Sequence, residues 1–535
     1  MVDDLLAARG VDLAQKDIFL NPDFERDGHD PMLLPDMVAA VERIVRAMRT
    51  GEKVAVWSDY DADGLPAGVM LSQFLREMGL PVVHYVPDRH LEGFGLNKEG
   101  IDELAAQGVK LMITADCGTT DTEPIAHALA LGINTIVTDH HVPPERLPEA
   151  LVINPHRADS RYPFAQLCGA GVAWKLVQGI LQSHRPVGYA AGKEKWLLDL
   201  VGIGTLSDMV PLLGENRMLA HFGLTVMRRA RRPGLSALFD LLKIKPASLT
   251  EDDVGFMISP RINAASRMGS PLTAAKLLGA QSSEAHALAR ELQALNDTRK
   301  GAVAAAVKEA THRLHEMTPS PVIVMGSPHW RPGILGLVAS NLAEAHGKPV
   351  FLWGREGGAD LKGSCRSDGQ VSVVECMRAA SDALLEFGGH HGAGGFSVSE
   401  ERVHELPGKF KEAYESLKLE AAERGARKLD RELAMSEVAH AHSLLRTLAP
   451  FGVGFEKPLF IVPRVAVASV RAFGKQRNHL GVTLEQDGER LEGVSFFSTP
   501  DSFDKKVSAG ARADVVGHVE ADWQGKARLR VVDFI

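Results

Sequence analysis

Three acidic residues alternate along Asp59-Tyr60-Asp61-Ala62-Asp63-Gly64. An extended backbone would place Asp59, Asp61 and Asp63 on one side, whereas a tight turn would converge their oxygens. Carboxylates this close repel one another and gain proton affinity unless cations neutralise them, so the pattern suits a divalent ion held by oxygen ligands. A solvated Asp-Gly turn explains this one stretch equally well. It does not explain repetition: Asp116 follows the apolar run Leu111-Met112-Ile113-Thr114-Ala115, and Asp139-His140-His141 follows Thr135-Ile136-Val137-Thr138. A single loop histidine is ordinarily no ligand, but three matching run ends point to one shared site. Oxygen ligands with an imidazole suit Mn²⁺ or Mg²⁺ ahead of Fe²⁺ or Zn²⁺. Asp208 stands in the small and apolar segment Val201 to Leu212, where an acid needs a metal, a partner or a helix end to satisfy it.

Such ligands need a scaffold. Lys53 to Trp57, Leu111 to Thr114 and Thr135 to Thr138 read as short buried strands, and residues 36–49 have the apolar spacing of a helix. Strands alternating with helices predict a doubly wound parallel sheet, with function beyond the C-terminal strand ends. A second region begins near Glu251, and Ser282 to Met317 reads as one long helix or a broken pair connecting two lobes. Pro321 to Met325 and Pro349 to Trp353 are strands flanking a helix over Gly333 to Ala345, a second α/β unit that ends in the glycine-rich run Gly388 to Gly395. On composition alone that run is a flexible loop. Strands at Leu480 to Leu484, Ala511 to Val516, Val519 to Trp523 and Ala527 to Val532, with a turn at Asp487-Gly488, predict a small terminal β-barrel. The expected domains are 1–235, 236–318, 319–428 and 429–535.

The composition is that of a globular chain: 535 residues, 45% hydrophobic and 24% charged, enough for about three or four domains. No run approaches the roughly 18 apolar residues of a membrane span. The acidic start lacks a signal pattern, and the four scattered cysteines argue for a reducing cytoplasm rather than a disulfide framework. A net charge of -8 gives no support for nucleic-acid binding by itself, although cations held by acids would reverse the sign locally.

Taken together, Asp59 to Gly64, Ala115 to Gly118, Thr138 to His141 and Ser207 to Leu212 resemble the DHH phosphoesterase superfamily, in its RecJ single-strand exonuclease branch. The resemblance runs from Arg9-Gly10 and Phe19-Leu20-Asn21-Pro22 to the C-terminus. It implies an α/β parallel-sheet DHH domain, a helical connector, a smaller α/β DHHA1 domain and a C-terminal OB-fold barrel. It implies that Asp61, Asp63, Asp116, His140 and Asp208 hold two divalent cations, Mn²⁺ or Mg²⁺, while Asp59 and His141 assist catalysis at the metals or phosphate. DNA contacts would come from Arg89, Arg261, Arg267, Ser364 and Arg366, and from His390 and Gly394 within the Phe387 to Phe396 run, which is similar to the DHHA1 signature. In the barrel, Phe473, Lys475, Arg477 and His479 could stack on and pair with a single strand, or form an ordinary polar hairpin. Arg228 to Arg232 could guide DNA or simply finish a helix.

The implied activity is metal-dependent 5′ to 3′ hydrolysis of single-stranded DNA to 5′-mononucleotides in DNA repair and recombination, in the cytoplasm. The implied partners are single-stranded DNA with a 5′ end, single-stranded-DNA-binding protein and repair helicases, with no membrane. Ser266, Pro66 and Arg331 depart from the usual glycine, hydroxyl residue and histidine, and bear on the grip of the strand. Relatives acting on very short oligonucleotides, cyclic dinucleotides or pyrophosphate generally lack the barrel, and non-catalytic scaffold relatives lose the acids retained here.

Overall fold

The structure is a computed structural model and describes every residue except 356–359, 419–428, 475–476, 478, 504 and 523. Lys475 and Trp523 therefore lie outside the described residues. Two compact units are present: Met1–Gly28 with Met209–His221 and Ala426–Ile535, and His29–Asp208 with Phe222–Gly425.

The larger unit begins with a sheet of β1 (Val54–Ser58), β2 (Val82–Tyr85), β3 (Leu111–Ala115), β4 (Asn134–Thr138) and β5 (Leu151–Ile153). Their order is β2-β1-β3-β4-β5, all parallel. Every residue of β1 and β3 is buried, which is why these strands read as continuous apolar runs rather than alternating ones. Register does the positioning. Ser58 is level with Ala115, and Ala115 with Thr138, so Asp59, Asp116 and Asp139 leave the sheet side by side. Their backbone N–H groups still donate to Ala115, Thr138 and Ile153 carbonyls at 3.1, 2.9 and 3.2 Å. The chain reverses its winding between β1 and β3, the crevice where such sheets bind ligands.

The Ser282–Glu316 helix is continuous over 35 residues, which settles the sequence alternatives in favour of one helix. It leads to a second sheet of β6 (Ile323–Gly326), β7 (Val350–Gly354), β8 (Leu361–Arg366), β9 (Glu386–Gly389) and β10 (Ala393–Val398), ordered β6-β7-β8-β10-β9. The glycine-rich run is not a flexible loop. It forms the antiparallel β9–β10 hairpin, in which a Cβ at Gly394 would lie 2.6 Å from Met377 Cε and 2.8 Å from the Gly388 carbonyl oxygen. Close packing accounts for Gly389 and Gly394.

The smaller unit contains β11 (Arg431–Glu432), β12 (Phe460–Phe473), β13 (His479–Gln486), β14 (Glu489–Ser495), β15 (Arg512–Ala521) and β16 (Ala527–Phe534). A β12–β15 pairing closes the order β12-β13-β14-β16-β15 into a five-stranded barrel around Phe460, Val515, Leu529 and Phe534. The two strands expected over 511–516 and 519–523 are one strand, β15, whose register shifts between Val516 and Gly517. A bulge at that step breaks the alternation and imitates a chain break. Long β12 escaped sequence reading because Pro463 interrupts it, and the pairing with β15 skips between Val462 and Val465 to admit the proline.

Three arginines of the run after residue 227 make structural contacts. Arg228 donates twice to the Leu249 carbonyl, Arg231 lies 3.7 Å over the Trp196 ring, and Arg232 forks onto Asp199 at 2.7 and 2.9 Å while also bonding Gln73 and the Leu278 carbonyl. Asp199→Ala would leave a nearly buried guanidinium without its counter-ion. The expected cost is about 3–5 kcal/mol, read from the denaturant midpoint.

Candidate active site

Between β1 and the Gly64–Glu77 helix the chain makes a turn closed from inside: Asp61 Oδ1 accepts from the Asp63 and Gly64 N–H groups at 2.8 and 3.0 Å. The N–H of Ala62, between them, donates instead to Asn263 Oδ1 at 2.9 Å. Pro66 falls in the first helical turn, where proline is tolerated. Asp63 points to the start of the Gly169–Ser183 helix, accepting from Gly169 N–H at 2.6 Å and Ala170 N–H at 2.9 Å. Free N–H groups and the helix dipole favour a carboxylate there.

Asp116 adopts a left-handed backbone, φ 64°, a conformation that Asp tolerates better than most residues. Glycines press against these acids. An added Cβ at Gly169 would lie 2.4 Å from Asp116 Oδ1, at Gly204 2.2 Å from Asp63 Oδ1, and at Gly64 2.7 Å from Asp59 Cβ. Asp59, Asp63 and Asp116 are thereby buried to 5%, 1% and 3% exposure, and Asp208 joins them from the C-terminal end of the Leu198–Ser207 helix.

Burial and mutual repulsion dominate the electrostatics. Burial, reinforced by the Asp61 charge, raises Asp63 to about 7, and burial with the Asp63 and Asp61 charges raises Asp208 to about 8. Asp59 and Asp116 are pushed well above the ordinary carboxylate range, chiefly by burial. The histidines diverge. Burial, then the neighbouring His141, depresses His140 to about 4, leaving a neutral imidazole with Nε2 3.2 Å from Asp116 Oδ1 and 3.6 Å from Asp208 Oδ2. Burial opposes charge on His141 as well, but a 2.7 Å bond between its Nδ1 and Asp139 Oδ1 overrides it and holds His141 at about 9.

The residues fit divalent cations. Potential ligand atoms lie within 4.8 Å of one another in three groups: Asp116, His140 and His141; Asp63, His140 and Asp208; Asp59, Asp61 and Asp116. Asp116 and His140 each belong to two groups, as residues between neighbouring ions would. Asp59 Oδ1 and Asp116 Oδ1 are buried without a hydrogen-bond donor, a costly state for a carboxylate that a cation relieves. All seven acidic and histidine candidates thus converge in one pocket. Asp139, not among those candidates, is the organiser of the histidines. Its carboxylate, held near 2 by the His141 and Thr119 bonds against the effect of burial, accepts from the His140, His141 and Thr119 N–H groups. Its place directly after β4 was the available signal.

The cationic candidates separate. Arg267 donates to the Gly333 carbonyl at 2.6 Å, and burial with the charges of Arg89 and Arg299 lowers it to about 9; Asp61 and Arg366 act on it too. Arg89 lies 5.0 Å from the Tyr60 ring. Arg366 and Ser364 share one spot, since a Cβ at Gly336 would lie 2.8 Å from Arg366 Nη2 and 3.1 Å from Ser364 Oγ. Arg261 is buried between helices, bonded to Gln293 and the Met257 carbonyl. His390 occupies the β9–β10 turn with an exposed side chain, and Gly394 is packed within β10. Two residues went unanticipated. Phe94 is 53% exposed with its ring 5.8 Å from His141, and Arg299 bonds Asn296 while its Nε is buried without an acceptor. On a polar helix surface Arg299 carries no sequence signal.

Family models match in chain order: the DHH family N-terminal domain over residues 53–205, the DHHA1 domain over 319–418 and the RecJ OB domain over 429–532. The chain is 33% identical over 520 residues to the single-stranded-DNA-specific exonuclease RecJ of Salmonella typhimurium, covering 92% of this chain and 89% of that protein. It is similar to the crystal structure of RecJ in complex with Mn²⁺ from Thermus thermophilus, with a TM-score of 0.81 and 29% identity over 100% of this chain and 75% of the other. The Mg²⁺ complex of RecJ from the same organism matches with a TM-score of 0.74 and 27% identity, over 100% and 74%. With a DHH domain, a DHHA1 domain and an OB domain in order, and the acids and histidines of the first gathered in one pocket, the chain belongs to the RecJ family.

Proposed function

We propose that this protein is a metal-dependent exonuclease that hydrolyses single-stranded DNA from the 5′ end to 5′-mononucleotides, in DNA repair and recombination. The observation that carries the reading is the convergence of Asp59, Asp61, Asp63, Asp116, His140, His141 and Asp208 at one sheet edge. Asp61, Asp63, Asp116, His140 and Asp208 would hold two divalent cations, Mn²⁺ or Mg²⁺. Bound there, such ions acidify a water and neutralise charge on the attacked phosphate and leaving oxygen.

The chain's own groups do the rest. Asp139 fixes the His141 ring through Nδ1 and keeps it cationic at neutral pH, so its other nitrogen can donate to a phosphate oxygen. Asp139 also accepts the His140 N–H, while burial keeps the His140 ring neutral and able to offer a lone pair. Asp59 completes the acidic wall. Arg89, Arg267, Ser364 and Arg366 supply donors for the strand's phosphates, and an anchor for the 5′ terminus among them sets the direction of digestion. His390, exposed in the β9–β10 turn, extends the contact along the strand, while Arg261 and Gly394 support that surface from within the packed helices and β10. Residues 1–235, 236–318, 319–428 and 429–535 are the working domains, the last offering Phe473, Arg477 and His479 to the DNA. Single-stranded-DNA-binding protein and repair helicases are the partners that such a substrate implies. Four free, buried cysteines suit the cytoplasm, and among the described residues no helix is long and apolar enough to cross a membrane.

With Mn²⁺ and end-labelled DNA, single strands are expected to yield mononucleotides from the 5′ end while duplex persists, and Asp116→Ala should lose at least about a thousandfold in kcat. Digestion of duplex at the same rate, or an active Asp116→Ala, would refute the reading.

The raised acids set a pH dependence. Asp63 near 7 and Asp208 near 8, against an ordinary value of 3.8, mean that the folded, metal-free chain binds more protons than the unfolded one across that interval. Its stability must therefore fall as pH rises through that interval. In EDTA, Tm is expected to drop from about pH 5 to about pH 8, and Mn²⁺ should raise Tm most at the upper end. An Mn²⁺ effect equal at both ends would contradict this.

A further inference from the structure

One helix that offers no ligand touches both acidic segments. The Ser259–Met268 helix follows a π-helical stretch, Asp253–Ile258, a rare geometry concentrated at functional sites. Ser259, Asn263 and Arg267 are spaced four apart and so share one face. Ser259 Oγ lies 2.5 Å from Ser207 Oγ, and Ser207 immediately precedes Asp208. Asn263 Oδ1 accepts the Ala62 N–H at 2.9 Å, and Ala62 separates Asp61 from Asp63. Arg267 reaches the Gly333 carbonyl in the first turn of the Pro332–His346 helix, the helix against which Ser364 and Arg366 lie.

We propose that Asn263 and Ser259 are positioning residues: through Ala62 and Ser207 they fix Asp61 and Asp63 relative to Asp208, and Arg267 joins that arrangement to the lobe carrying Ser364 and Arg366. The inference rests on reading the acids as a divalent-cation site. Its physical basis is the hydrogen-bond count within the turn. The Asp63 and Gly64 N–H groups are both taken by Asp61 Oδ1, so that oxygen also orients the turn. Ala62 is 1% exposed, and its N–H depends on Asn263, since a buried N–H without an acceptor is strongly disfavoured. Removing that acceptor leaves the turn free to rotate toward another one, carrying Asp61 and Asp63 out of alignment. The serine pair does the same for Asp208: one hydroxyl donates to the other, and the accepting serine gives its own proton to its helix carbonyl, Val254 for Ser259 or Ile203 for Ser207, so two helix segments are pinned where their hydroxyls meet. Ser266, also on this helix, turns its hydroxyl back to the Asn263 carbonyl at 3.3 Å, a bond within the helix itself.

The test is calorimetric titration of Mn²⁺ into the full-length protein. Asn263→Ala is expected to bind Mn²⁺ about tenfold more weakly, the usual consequence of losing a group that orients ligands. Asn263→Asp, which keeps an acceptor, should stay within about threefold of the parent. Ile262→Val, a buried neighbour on the same helix, should lower Tm and leave Mn²⁺ affinity unchanged. If circular dichroism shows Asn263→Ala unfolded, Ser259→Ala takes its place, with an expected weakening of about threefold. Parental affinity in the alanine variant, or an equal loss in Ile262→Val, would overturn the positioning role. Absence of Mn²⁺ binding in the parent would overturn it together with the metal site, whereas Mn²⁺ binding without nuclease activity would count against the proposed function alone.

Discussion

Like charges forced together at the edge of a parallel sheet are the constraint on which this structure turns. Left in water, Asp59, Asp61, Asp63, Asp116 and Asp208 would separate. The fold instead buries three of them almost completely and brings the other two within reach of the same centre. Repulsion and desolvation at this density are tolerable in two ways, by proton uptake or by cations. For Asp59, Asp63, Asp116 and Asp208 the protonated form is favoured when metal is absent and pH is low, and divalent ions favour the charged form. Stability and activity are therefore controlled by the same pocket.

Everything around the pocket limits the ways in which the acids could escape. Strand register delivers Asp59, Asp116 and Asp139 at one level. Gly64, Gly169 and Gly204 permit backbone where a side chain would drive the carboxylates away. The start of the Gly169–Ser183 helix receives Asp63 with two N–H groups, and the two histidines divide into a neutral ring, kept so by burial and the neighbouring His141, and a charged one held by Asp139. That division gives adjacent residues of one type different chemical roles. A short cationic series continues outward through Arg267 to Arg366, so the proposed metal ligands and phosphate donors occur within one compact unit.

The parts legible in the sequence were those with local causes. Apolar runs ending in acids specified β1, β3 and β4 and the place of the acids beyond them, because a buried parallel strand and its exit are contiguous in the chain. Helix spacing likewise located the 35-residue Ser282–Glu316 helix. What the sequence did not disclose depends on distant partners. Gly388 to Gly395 read as loose because its packing against Met377 and Gly363 is non-local, and β12 was hidden by a proline that a bulge accommodates. Arg261 looked equivalent to Arg267, yet one helical face buries it against Gln293 while another turns Arg267 toward Gly333. Asn263 was invisible for the same reason, its partner Ala62 being 201 residues away.

The measurement closest to the centre of this account is the number of protons released when Mn²⁺ binds, obtained at about pH 7 by calorimetry in buffers of differing ionisation enthalpy. Carboxyls held at about 7 and about 8, with Asp59 and Asp116 higher still, must give up their protons to accept the cations. Release of more than about one proton per chain, diminishing as pH rises, is the predicted result. Tight Mn²⁺ binding with no proton released would contradict it, because the acids would then have been ionised before any cation arrived.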